Sequence, residues 1–138
     1  RTEAWGLASA NGMTISPERD LLFVSVPECK RFVRYSIGED GSLTELGDHL
    51  HVPQGGLDNP EWDEATDRVL FTSNPTGSSA AELLAIRAPR GGEAMGAPEV
   101  LLRHDGSKLT VWSAGAQYGA AVLLGTPLND GLLFCSEL

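Results

Sequence analysis

The chain has 138 residues, with 19 acidic against 10 basic side chains and a formal net charge of −9. That balance excludes a nucleic-acid partner, which needs clustered Lys and Arg, and the lone pair Lys30-Arg31 makes no patch. No apolar run reaches the roughly 18–20 residues that cross a bilayer, so no membrane span is expected.

Short apolar runs bounded by turn residues predict strands and nothing with a sustained helical period. Leu21–Val26 and Arg31–Ile37 flank Pro27–Lys30 and read as a hairpin. Gly38-Glu39-Asp40-Gly41 is a turn leading to a weaker strand near Leu43–Leu46. Arg68–Ser73 and Glu82–Arg87 form the next pair, joined by the polar stretch 75–79. The Gly- and Pro-rich stretch 89–98 is a surface loop, followed by strands at Val100–Arg103, Leu109–Ser113, Ala120–Gly125 and Leu132–Cys135. Ser16-Pro17-Glu18-Arg19-Asp20 and Asp63-Glu64-Ala65-Thr66-Asp67 each precede a strand, so their acidic residues read as turn chemistry rather than as ligands.

One pattern occurs twice. Asn11, Leu22-Phe23, Ser25 and Pro27 recur 48 residues later as Asn59, Leu70-Phe71, Ser73 and Pro75. A third, weaker copy at Val122–Pro127 follows at an offset of 52. Repeats of about 40–50 residues holding several short strands are the signature of β-propeller blades. The expected fold is therefore all-β: about three blades of a larger propeller, spanning 1–55, 56–105 and 106–138. Propellers have about 4–8 blades, so the chain is expected to be completed by a missing N-terminal half, in the same or a separate chain. Rotation about the propeller axis would aim Asn11 and Asn59 at one small volume.

These residues resemble the paraoxonase/arylesterase family of calcium-dependent six-bladed propellers. Ala10-Asn11-Gly12-Met13-Thr14-Ile15-Ser16-Pro17 looks like its Ala-Asn-Gly-x-x-Ile-Ser-Pro element, and Leu57-Asp58-Asn59 like its Val-Asp-Asn element. Ser73-Asn74-Pro75-Thr76-Gly77 is similar to a Cys-His-Pro-Asn-Gly stretch, and Leu124-Gly125-Thr126 through Phe134-Cys135-Ser136-Glu137-Leu138 to the C-terminal ending. The resemblance covers the family's C-terminal half. It implies a calcium-dependent hydrolase of lactones or aryl esters, with Asn11, Asp58 and Asn59 among the calcium ligands. Oxygen donors of these types suit that ion. The family's pocket region falls on Asn74, Pro127, Leu128 and Asn129, and Asn74 stands where the family has a histidine. The remaining ligands and the general base belong to the family's other half. Cys135 matches a cysteine that bridges to the family's N-terminal strand, so its implied partner lies outside this chain.

Other constellations are weaker. His49 and His51 share one face of an extended segment but lack a third ligand, and read as surface residues. Cys29 reads as a buried or reduced thiol. No Gly-x-Ser-x-Gly elbow supports a serine hydrolase. Two alternatives stand beside the calcium hydrolase: a non-catalytic propeller that binds a ligand or partner, and a gluconolactonase or strictosidine synthase-like propeller enzyme. The sequence leaves the compartment open, secretion being consistent with the family.

Overall fold

The computed structural model describes residues 7–47, 49–53, 55–75, 77–88, 93–128 and 131–136. Twelve strands form three antiparallel sheets, and the described residues contain no α-helix. Sheet A runs β1 (Met13–Ile15), β2 (Leu21–Val26), β3 (Arg31–Ile37), β4 (Leu43–Glu45), with β5 (Leu50–His51) also pairing with β3. Sheet B runs β6 (Glu61–Asp63), β7 (Arg68–Ser73), β8 (Ala81–Arg87), β9 (Glu99–His104). Sheet C runs β10 (Ala114–Tyr118), β11 (Ala121–Gly125), β12 (Leu132–Cys135). No helix among the described residues is long and apolar enough to cross a membrane.

The apolar runs expected to be strands became β2, β3, β4, β7, β8, β9, β11 and β12, while four short or weakly apolar strands, β1, β5, β6 and β10, carry no such signal. β10 is the clearest of these. Its Ala-Gly-Ala-Gln-Tyr has little intrinsic strand preference, and pairing with β11 imposes the conformation. A Cβ at Gly115 would sit 2.7 Å from Leu83 Cδ1 and 2.9 Å from Leu124 Cδ2, so a larger residue there would push both leucine tips aside. The expected strand at Leu109–Ser113 is not one. Val111 adopts φ +52°, which breaks the extended run and turns Trp112 inward. The indole is completely buried and donates from Nε1 to Leu109 O at 3.1 Å.

The sheets stack face to face. Leu21, Phe23 and Phe32 of sheet A meet Trp62, Val69, Phe71, Leu84 and Ile86 of sheet B. Phe32 and Phe71 stack with ring centroids 5.0 Å apart, and Phe23 lies 5.8 Å from Trp62. On the other side of sheet B, Leu70, Leu83 and Ala85 pack on Val122, Leu124, Leu109 and Trp112. Each such Leu or Phe removed from water contributes about 1.5–3 kcal/mol. The first strands β1, β6 and β10 lie side by side along one edge of the stack.

The backbone corrects the repeat. Asn11 N–H donates to Ser25 O at 3.0 Å, Asp58 N–H to Thr72 O at 3.0 Å, and Ser113 N–H to Gly125 O at 2.9 Å. Ile15 faces Leu22 in one sheet and Trp62 faces Val69 in the next. The structural offset is therefore 47 residues from sheet A to sheet B, and from B to C it is 53 between β7 and β11 and 55 between the strand starts at Asp58 and Ser113, not 48 and 52. Asn11 is equivalent to Asp58, and Gly12 to Asn59. A one-residue slip exchanges the faces of a strand, and the packing shows which phase is right. Phe23 and Phe71 match by identity, yet they meet in one core from opposite sheets. In the true phase Phe23, Leu70 and Leu123 are equivalent, as are Phe32, Leu83 and Leu132, each directly opposite the acceptor residue in register. Each sheet thus turns the same side toward the sheet that follows it.

Candidate functional site

Asn11, Asp58 and Asn59 come together where β1, β6 and β10 begin. They do so by packing of neighbouring strand ends, not as the equivalent positions the 48-residue offset implied. Gly12 makes this approach feasible. A Cβ at that position would lie 2.6 Å from Asn59 Cα, 2.6 Å from Pro60 Cδ and 2.7 Å from Asn59 Oδ1. Backbone atoms cannot yield as a flexible side chain can, so only glycine fits between the two strand ends.

Each partner is held from a different direction. Ser25 Oγ accepts from Gly12 N at 3.0 Å and donates to Gly12 O at 3.2 Å, fixing the start of β1. Asn59 donates twice to the Ser113 carbonyl, from the backbone N at 3.1 Å and from Nδ2 at 2.8 Å. That commitment leaves Oδ1 as the acceptor end of its amide. The Asp58 carboxylate accepts the Asn59 N–H at 2.9 Å and a hydrogen bond from the Asn11 side chain. Burial pushes the Asp58 carboxyl above its ordinary range, and the two hydrogen bonds pull less strongly in the other direction. Asn11 is exposed, whereas Asp58 and Asn59 are half-buried. The site therefore offers one carboxylate and two amide groups, all oxygen donors, at a partly desolvated edge.

The pocket residues expected from sequence have varied fates. Asn74 spends both ends of its amide on the main chain of Trp112: Nδ2 donates to the carbonyl at 2.8 Å, and Oδ1 accepts the N–H at 2.8 Å. It is a latch between sheets B and C. Pro127 and Leu128 are exposed on the β11–β12 loop, which Thr126 ties to Thr110 O at 2.6 Å. Asn129 lies outside the described residues. A recess of about 230 Å³ opens beside Asn59, lined by Pro60, Ala114, Ala116, Leu123 and Leu132 among others. Sequence reasoning missed this recess because one of its walls comes from β10, a strand without a strand-like sequence, set against the start of β6. It missed Ser113 for a related reason, since the contribution is a backbone carbonyl. Gly12 had a signal, its place directly after Asn11.

Away from this edge, His49 Nδ1 accepts from Arg31 at 2.9 Å and its Nε2 meets Glu45 at 2.5 Å, while His51 is exposed opposite Arg31. Among the described residues no group of three His, Cys, Asp or Glu side chains is placed to hold a metal. Cys29 and Cys135 are both free and half-buried, Cys29 packing at the rim of the apolar cluster on the outer face of sheet A. No family model and no curated protein matches this sequence.

Proposed function

We propose that this chain contributes a calcium site to a β-propeller hydrolase of lactones or aryl esters. The carrying observation is the convergence of Asn11, Asp58 and Asn59, which supplies oxygen donors of the kinds calcium takes, with a single formal charge. The same-sense stacking of sheets of five, four and three strands, with their first strands side by side along one edge, supports the propeller. When bound, calcium polarises an ester carbonyl and stabilises the oxyanion that develops on attack by water.

The chain's own residues have more limited tasks. Asp58 supplies the charge, and the Asn11 amide steadies its carboxylate. Ser113 O orients the Asn59 amide by holding Nδ2, so that Oδ1 is presented without rotational freedom. Gly12 lets the two strand ends meet. No proton transfer is assigned to Asn74, whose amide is fully engaged. That engagement favours a second reading, a calcium-bearing propeller that binds its ligand without turning it over.

Calorimetric titration of calcium into the purified chain tests the site. A saturable heat is expected, with affinity lowered about tenfold or more in Asp58→Asn, since ligand charge sets calcium affinity. Wild-type protein that takes up no calcium overturns the assignment. Hydrolysis of phenyl acetate and of a simple lactone by the calcium-loaded protein in its completed propeller then separates the two readings: binding without turnover there leaves only the second.

A further inference from the structure

We propose that Ser113 is a fourth member of the calcium site, its hydroxyl an oxygen donor beside the side chains of Asn11, Asp58 and Asn59. The inference rests on the calcium part of the proposed function. The heads of the three first strands share one irregularity. In sheet A, Ser25 O accepts the Asn11 N–H while Ser25 N–H donates to the carbonyl of the next residue, Gly12. In sheet C, Gly125 stands opposite Ala114 in register and its carbonyl accepts the N–H of the preceding Ser113. In sheet B, Leu57 faces Ser73 and Glu61 faces Leu70, a step of four residues on one strand against three on the other. Each first strand therefore begins with one extra residue, a bulge of the kind that re-aims a side chain. By the N–H that each donates to its second strand, the three matching residues are Asn11, Asp58 and Ser113.

The first two of these side chains aim at one place, since the Asn11 amide reaches the Asp58 carboxylate. Ser113 holds the third such position, and both the N–H and the amide of Asn59 already close on its carbonyl. Sheet B forgoes a contact of its own there. In sheet A the Ser25 hydroxyl holds Gly12 at both its N–H and its carbonyl. The counterpart hydroxyl in sheet B, Thr72 Oγ1, is buried without a partner, and the Asn59 N–H turns to Ser113 and Asp58 instead. The head of the sheet B strand is thus drawn toward Ser113. The Ser113 hydroxyl makes no hydrogen bond among the described residues, and the residue is half-buried. Calcium takes about 6–8 oxygens, whereas one carboxylate and two amides offer about four at most. A serine hydroxyl supplies a further oxygen without adding charge.

Terbium luminescence on the whole chain tests this, the lanthanide standing in for calcium among oxygen donors. Decay lifetimes in ordinary and heavy water count the waters left on the bound ion, and competition by calcium gives its affinity. Ser113→Ala keeps the carbonyl that holds Asn59 and removes the hydroxyl alone. It is expected to add about one bound water and to weaken calcium about tenfold, as loss of a ligand does. Ser113→Thr keeps a hydroxyl and restores both values. Ser113→Asp puts in the residue type that sheet B carries at this position, and ligand charge then tightens calcium about tenfold. An alanine variant with the wild-type water count overturns the proposal even where its affinity falls, because the hydroxyl then acts only by positioning Asn59. Should Ser113→Ala unfold, as circular dichroism would reveal, Ser113→Asp decides alone: tighter calcium supports the proposal, and unchanged or weaker calcium overturns it. A wild type that binds neither ion removes the calcium site and this inference together. A wild type that binds, matched by Ser113→Ala in both readouts, removes the inference alone.

Discussion

Leu70 in sheet B and Leu123 in sheet C occupy the same place in the repeat, one residue type in two environments. The first is closed over by sheet C and fully buried; the second faces outward and is 44% exposed. The same pair of sheets differs in strand quality. β7 carries the apolar run Val69-Leu70-Phe71 and is buried from Val69 onward, whereas β10 is an Ala- and Gly-rich strand held in place by its neighbours. Burial is thus a property of position in the stack rather than of the residue, and strand formation in sheet C is borrowed from packing that sheet B already provides.

The largest expected difference comes from truncating the two leucines. Leu70→Ala removes about 2–5 kcal/mol of stability, the cost of an unfilled core site. Leu123→Ala in dilute protein stays within about 0.5 kcal/mol, as at other exposed positions. Urea denaturation of both variants reads the contrast directly, and equal losses would show that sheet C is covered in the chain as studied. A smaller effect attaches to the latch between the two sheets. Asn74→Ala leaves the Trp112 N–H and C=O without their side-chain partner, at about 1–3 kcal/mol for an orphaned buried group. Amide hydrogen exchange at Trp112 should accelerate with it, and an unchanged exchange rate would sever the link between Asn74 and sheet C.

The smallest effect is a slope with pH at the edge where sheets A, B and C meet. Burial holds the Asp58 carboxyl above its ordinary value in the native chain. A raised native pKa means the folded form keeps a proton that the unfolded form has released. The stability contributed by this group is complete below the ordinary carboxylate value and declines as pH rises through the raised one. Subtracting the urea midpoints of Asp58→Asn from those of wild type across about pH 3 to 7 isolates this slope. Asp40 and Asp105, held low by hydrogen bonds from Ser42 and Ser107, slope the other way in both proteins and cancel in the difference. A difference that rises with pH would contradict the burial of Asp58. Calcium, where bound, competes with the same proton, so its affinity falls as pH drops into this window.

Several elements were legible because their own residues suffice to specify them. β2, β3 and β7 are runs of branched and aromatic residues between strong turns, and Pro27 begins the 3₁₀ turn that closes the first hairpin. Asn11 and Asn59 stood out through the repeat and Asp58 only through the family resemblance; the structure brings the three side chains to one edge. The phase of the repeat was not. Leu-Phe occurs in both β2 and β7, and identity alone aligned these dipeptides one residue away from their structural equivalence. The expected strand at Leu109–Ser113 failed for a similar reason, because a buried Trp112 needs an inward turn that an apolar run does not announce.

The sequence by itself determined that this chain is built of short strands in repeated units, and which oxygen-bearing side chains precede the first strand of two units. Local preference and turn chemistry act over a few residues, and a few residues are enough to express them. The tertiary structure alone decided which side of each strand is buried, which residues are equivalent, and that Gly12 lies against Asn59. Those facts depend on register between strands and on contact between sheets, where a shift of one residue reverses every face and a single Cβ closes the gap.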